Sequence, residues 1–260
     1  MAPAIWFRRI VPSGYEQATL MLTGTAPLLM KSGEFDPDSD EYRSFELLGV
    51  QPRKSIDERL RLRELEWTLS LYMDETLGPC IPAKNIHELL REAATRWRKG
   101  AEVTRSLVVT DFRLPLNYEG PRDQKELWAH GFRYTTMAAN GGVNRGRVQR
   151  CRPMFPGWSV VAELAFDPET LDFHLLERVV ENSQKYGLGD YRPMFGSFEA
   201  ILVKGDLHKA ATNGSAIKPV DRDRLAAHLA FVERIKTESN GTNAKQQKKA
   251  TDATRAERRG

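Results

Sequence analysis

The chain reads as an α+β fold, and three observations predict it. Segments with period-two alternation recur. The clearest runs from Trp158 to Phe166, where Trp158, Val160, Ala162, Leu164 and Phe166 alternate with Ser159, Val161, Glu163 and Ala165. A second period appears at Ile86, Leu89, Leu90, Ala93, Ala94 and Trp97, the spacing of one apolar helix face. With residues 31–81 set aside as an insertion, the elements follow in the order strand, helix, strand, strand region, helix, strand.

Taken along the chain, Gln17 to Gly24 is a short apolar strand ending in a turn. Asp36, Asp38 and Asp40 mimic the start of a calcium loop. Glu41 stands where that loop needs glycine and Leu47 where it needs a bidentate glutamate, so the segment is a turn leading into a helix near Glu41–Leu48. Ser55 with Glu58 forms a capping box, which starts a helix from Ile56 to Trp67. Thr68 to Met73 reads as a strand. Pro82 opens the strongest helix, and Gly100 closes it after Arg96, Arg98 and Lys99, cations suited to the negative end of a helix dipole.

Strands follow at Ser106–Leu114, Phe132–Met137, Arg145–Met154 and Trp158–Phe166. Asp167 as N-cap and Pro168 at the first position begin a helix that runs to Tyr186 and stops at Gly187. A strand at Ser197–Lys204 and an amphipathic helix over Val220–Lys236 complete the ordered chain. This βαββαβ order is that of a ferredoxin-like sheet, whose open face is a common platform for single-stranded RNA.

Composition bounds the rest. At 260 residues and 40% hydrophobic, the chain can bury a core as one large domain or two small ones. One domain over 1–236 is expected. After Lys236 the composition turns to Thr, Ser, Asn, Gln and Lys/Arg without an apolar period. Residues 237–260 therefore read as a disordered basic tail. The net charge of +4 and pI of 9.0 are compatible with an anionic partner. Cys80 and Cys151 form no CxxC pattern, which argues for a reducing compartment and against a disulfide framework or a zinc site. The uncharged stretch Ala18–Met30 is too short to span a membrane and contains Gly24 and Pro27. Arg8 and Arg9 are followed by no apolar signal region, so a cytoplasmic protein is expected.

Two segments carry the functional expectation. Residues 187–199 place Gly187, Gly189 and Gly196 around Tyr191, Arg192 and Phe195, directly before a strand. A glycine-rich loop exposes backbone N–H groups and permits close approach, and a cation with aromatics suits phosphate and base. The competing reading is a helix C-cap at Gly187 and a tight turn at Gly189. The second segment is a hairpin tip, residues 140–144, leading into Arg145, Arg147, Arg150 and Arg152. On a strand, 145 and 147 share one face and 150 and 152 the other. With Arg133 and Tyr134 on the preceding strand, the hairpin combines forked cations and an aromatic. Its competing reading is an edge hairpin that uses cations against aggregation.

The segments ProLeuLeuMet (27–30), IleProAlaLysAsnIle (81–86), ArgProMetPhePro (152–156) and the glycine-rich run 187–199 together resemble a family of uncharacterised proteins encoded by phages and prophages, over residues 17–204. The chain is similar, more distantly, to the RAMP superfamily, ferredoxin-like proteins that coat guide RNA in CRISPR complexes. A strand followed by IlePro and a helix (81–99) carries that second resemblance, as does the glycine loop before the last strand. Ala83, Lys84 and Asn85 depart from the glycine and serines usual in the first segment. The resemblance implies binding of single-stranded RNA or DNA in a bacterial host cell, with assembly into a homo-oligomer or filament. It adds Lys84 to the candidate binding residues.

Catalysis has less to stand on. The chain has no Walker A loop, HExxH, GxSxG or CxxC motif. His87, early in the Pro82 helix beside Glu88, is the candidate general base if the protein cleaves RNA as some RAMP proteins do. Asp111, Asp123 and Asp190 are the acids available to magnesium, but no spacing groups them. The expected protein is a non-catalytic binder without a cofactor. The alternatives are a RAMP-like endoribonuclease, a phage assembly component, or a protein that interferes with a CRISPR complex.

Overall fold

The computed structural model describes residues 9–139, 147–205, 226 and 230. Chain order begins with β1 (Glu16–Gly24), β2 (Leu28–Leu29), α1 (Asp40–Val50), α2 (Ile56–Ser70), β3 (Met73–Asp74) and β4 (Gly78–Pro82). It continues through α3 (Ala83–Ala94), α4 (Gly100–Ser106), β5 (Leu107–Val109), β6 (Arg113–Pro115) and α5 (Gln124–Ala129). The last elements are β7 (Arg133–Ala139), β8 (Arg147–Phe155), β9 (Ser159–Phe166), α6 (Phe173–Ser183) and β10 (Phe198–Lys204). The protein is thus mixed α and β, with antiparallel sheets throughout the described residues.

The central sheet has four antiparallel strands in the order β10-β1-β9-β5. Helix α3 lies in the chain between β1 and β5, and α6 between β9 and β10. Both helices pack on one face of this sheet and against each other. Leu20 and Leu22 of β1 join Val160 and Leu164 of β9, Ile86 and Leu90 of α3, and Leu176 and Val179 of α6 in one core. Asn182 on α6 satisfies its buried amide by donating to the Ala93 carbonyl of α3 at 2.9 Å. Trp158 closes one end of this core. Its indole donates to the Ala26 carbonyl at 2.9 Å, and a Cβ on Gly24 would stand 2.2 Å from its ring, so only glycine fits there.

A second sheet, β2-β8-β7, carries the long hairpin, paired without interruption from Arg133↔Pro153 to Ala139↔Arg147. Helix α2 packs on β8 and is fixed by the Trp67 indole, which donates to the Phe132 carbonyl at 2.7 Å. A small third sheet, β3-β4-β6, supports the start of α3. The Ser55–Glu58 capping box forms as expected.

Several expectations are corrected. Thr68–Ser70 remain helical, because Trp67 and Ser70 are buried in the α2 contact, and only Met73–Asp74 pair as a strand. The Pro82 helix ends at Ala94. A 3₁₀ turn over Thr95–Trp97 follows, Arg98 takes the left-handed conformation at φ 60°, and Gly100 begins α4 rather than ending α3. The expected strand Ser106–Leu114 is two short strands in different sheets. Asp167 closes a turn onto Glu169 N–H and the Thr170 hydroxyl, while the helix starts later, capped by Asp172 onto Leu175 N–H at 2.8 Å. The sheet face turned away from α3 and α6 is not open: Met21 is 2% exposed and Val203 1%. Among the described residues no helix is long and apolar enough to cross a membrane. The expected helix over 220–236, apart from residues 226 and 230, and the tail over 237–260 lie outside the described residues.

Candidate nucleic-acid interface

The glycine-rich loop is folded onto its own chain. Leu188, buried, donates its N–H to the Gly196 carbonyl, Gly196 N–H bonds the Pro27 carbonyl, and Asp190 N–H bonds the Leu29 carbonyl, each at 2.8 Å. Gly189 has φ +87°, and a Cβ there would lie 2.2 Å from the Leu29 carbonyl oxygen. The close approach that requires glycine at this position is therefore made by residues 28–29. Gly187, at φ +74°, lies less tightly against the Gly196 carbonyl, 3.3 Å from where a Cβ would stand.

This folding turns the loop tip outward. Tyr191, at φ 54°, is 38% exposed, and Met194 is 78% exposed. The Arg192 guanidinium is exposed and loosely held, 3.4 Å from the Glu92 carboxylate and 3.5 Å from the Gly187 carbonyl. Phe195 turns back and packs on Tyr134 of β7, with ring centroids 4.9 Å apart.

Beneath the tip lies an ion-pair network. Arg152 donates to Glu66 at 2.7 Å and to Asp190 at 3.0 Å, and Glu66 also accepts from Arg150 at 3.2 Å and from Cys151 N–H at 2.8 Å. Burial alone would lower the Arg152 pKa, but its two carboxylate partners outweigh burial and raise it. Arg152, expected among the phosphate-binding cations, is 7% exposed and committed to these carboxylates. It positions the loop against β8 and α2 instead of meeting a ligand. Asp190, among the acids available to magnesium in the sequence, is instead paired with Arg152 and accepts from Tyr191 N–H at 3.1 Å, which orients its own loop.

The hairpin sorts its residues by face. The pairs Tyr134↔Arg152 and Thr136↔Arg150 put these four on the side of the loop. Arg147, exposed, lies on the opposite side. Arg133 stacks over Trp128 at 4.5 Å and donates to its carbonyl. Arg145 lies outside the described residues. Two segments distant in sequence are thus joined by the Tyr134–Phe195 and Arg152–Asp190 contacts.

Lys84 sits apart from the hairpin, paired with Glu34 at 2.7 Å, and Arg113 holds the other oxygen of the same carboxylate at 2.7 Å. Burial would raise the Glu34 pKa, but the two cations lower it. Between α3 and the glycine loop is an open cleft of about 330 Å³. Sequence reasoning missed most of its lining. Asn85, Glu88 and Glu92 reach it from α3, Lys31 from the segment after β2 and Tyr72 from the segment after α2. Glu88 is paired with Arg91 at 2.6 Å and Glu92 with Arg192, and the lining holds three acids against two cations, so its interior is a poor phosphate trap.

His87 does not line the cleft. It is half-buried toward Val103 of α4, with its Nδ1 3.9 Å from the Glu88 carboxylate. Burial lowers its pKa, more than Glu88 raises it. Among the described residues no three His, Cys, Asp or Glu side chains are grouped to hold a metal ion. Asp123 caps α5 instead.

No protein-family model matches the chain, and no curated protein matches it. Among solved structures it is similar to a chain of the Type III-B Cmr-beta complex bound to cognate target RNA. Identity is 13% and the TM-score 0.40, with 74% of this chain and 61% of that chain covered.

Proposed function

We propose that this protein binds single-stranded nucleic acid, RNA in the first place, through the sugar-phosphate backbone, and does no chemistry on it. The carrying observation is the joining of the glycine loop to the arginine hairpin through Tyr134–Phe195 and Arg152–Asp190. That contact sets an exposed aromatic and cation, Tyr191 and Arg192, beside the hairpin face that carries the partly exposed Arg150. Exposed cations beside a stackable ring are what a sequence-tolerant strand groove uses. The ferredoxin-like reading of the core is part of this proposal. Its support is the strand order β10-β1-β9-β5 with α3 and α6 as the two crossovers. The half-buried place of His87 against α4, apart from the loop and hairpin, supports the non-catalytic reading.

Binding of labelled single-stranded RNA and DNA oligonucleotides of mixed sequence, measured over a range of salt, tests the proposal. Affinity is expected to fall with salt, and replacing Arg150 and Arg192, which share the loop side of the hairpin, by alanine together is expected to reduce the slope of log K against log salt by about two. A folded double variant that binds as the parent does removes these residues from the interface. Absence of binding by the parent at low salt refutes the function.

A further inference from the structure

A second group of cations stands outside the loop and the hairpin, where α3 ends against α6. Trp97, in the 3₁₀ turn after α3, is half-buried and packs on the core beneath the helices. Two guanidiniums lie over its ring, Arg178 of α6 at 4.9 Å from the centroid and Arg96 at 5.8 Å. Arg98 follows directly, and Arg96, Arg98 and Arg178 are all exposed. Among the described residues no carboxylate holds any of the three. Glu92, nearby on α3, is taken by Arg192, and Glu102 by Lys99. Contact with an indole fixes the plane of a guanidinium and leaves its N–H groups to the solvent side, ready for a phosphate.

The backbone singles out Arg98. It holds φ 60°, a left-handed position that closes the end of a helix and is normally filled by glycine, because a Cβ is strained there. Its N–H bonds the Thr95 carbonyl at 2.9 Å, a bond that glycine would make equally well. The arginine side chain therefore adds nothing to the turn, and the fold bears the strain of keeping a cation at this point. The group also lies on a route from the glycine loop. Glu92 meets Arg192, Ala93 meets Asn182 and Trp97 meets Arg178, so α3 and α6 run antiparallel from the loop to the turn. Arg96 is four residues beyond Glu92, about one helical turn further along the same face.

We infer that Arg96, Arg98 and Arg178, mounted around Trp97, form a second phosphate-binding surface, which takes the backbone of a single RNA strand after it passes Arg192 and runs along α3. With guanidiniums over its ring, Trp97 is a mount for cations and not a platform for a base, so this surface adds affinity without sequence preference. The inference rests on the strand-binding reading above and extends the contact from the loop to the far end of the helix pair.

Binding of labelled mixed-sequence RNA of about 6 and about 20 nucleotides by the full chain, over a range of salt, tests it. In the variant combining Arg96→Gln, Arg98→Gly and Arg178→Gln, the slope of log K against log salt is expected to fall by about two for the long strand and much less for the short one, which does not reach from the loop to the turn. Arg192→Ala is expected to weaken both lengths. Arg98→Gly alone separates binding from folding: relief of the left-handed strain is expected to raise Tm by about 2–4 °C, while affinity for the long strand falls. The inference is overturned if either the triple variant or Arg98→Gly binds the long strand as the parent does, or if the triple variant loses as much on the short strand as on the long. Failure of the parent to bind either length at low salt overturns the strand-binding reading itself.

Discussion

Arg152 stands between two carboxylates, Glu66 at 2.7 Å and Asp190 at 3.0 Å, with 7% of its surface exposed. Removing one member of a buried ion pair leaves the others charged and desolvated, which costs about 3–5 kcal/mol. Arg152→Ala is therefore expected to lower stability by that order in chemical denaturation. A loss under about 1 kcal/mol, the range of surface pairs, contradicts a buried, loop-fixing role. His87 supplies a pH signature. Its folded pKa is lowered by burial, so the unfolded chain binds the proton more readily. Stability is then complete above the unfolded value of 6.5 and declines as pH falls through it toward the folded pKa. In His87→Gln the stability curve is expected to be flatter below that point, while RNA binding stays as in the parent. A slope unchanged by the substitution contradicts the buried neutral imidazole, and RNA cleavage lost with it contradicts the non-catalytic reading.

At the scale of elements, what could be read from the sequence divides by range of interaction. β1, β9, β10 and the starts of α2 and α3 announce themselves through local period and local hydrogen bonds, and they form where expected. The start of α6 does not. Asp167-Pro168 and Asp172 are both good caps, five positions apart, and the choice is made by packing: Leu171 is fully buried between them. The same limit applies to the site. The arginine hairpin and the glycine loop were both visible as separate segments. Their junction was not, because it depends on Tyr134 reaching Phe195 and Arg152 reaching Asp190 across the fold. Arg150 and Arg152 read alike in sequence, two residues apart on one strand face. Glu66, set between Leu65 and Trp67 on a buried stretch of α2, takes both and leaves Arg150 partly exposed but Arg152 enclosed. No local pattern marks a helical glutamate as the hub of such a network.

For the whole molecule, charge is unevenly divided along the chain. Residues 237–260 hold six Lys or Arg (245, 248, 249, 255, 258, 259) against three acids (238, 252, 257), a balance of +3 out of the total of +4. Residues 1–236 therefore carry only +1, so in the proposed binding the exposed cations act at contact and residues 237–260 supply most of the long-range field. Deleting residues 237–260 should leave Tm within about 2 °C, because a segment without an apolar period buries little. The same deletion should weaken oligonucleotide binding modestly at low salt and hardly at all near 1 M, where the Debye length falls to about 3 Å. Two results contradict this division. A large fall in Tm places the tail in the folded structure, and a loss of affinity that persists at high salt makes it part of the contact surface instead of a remote charge.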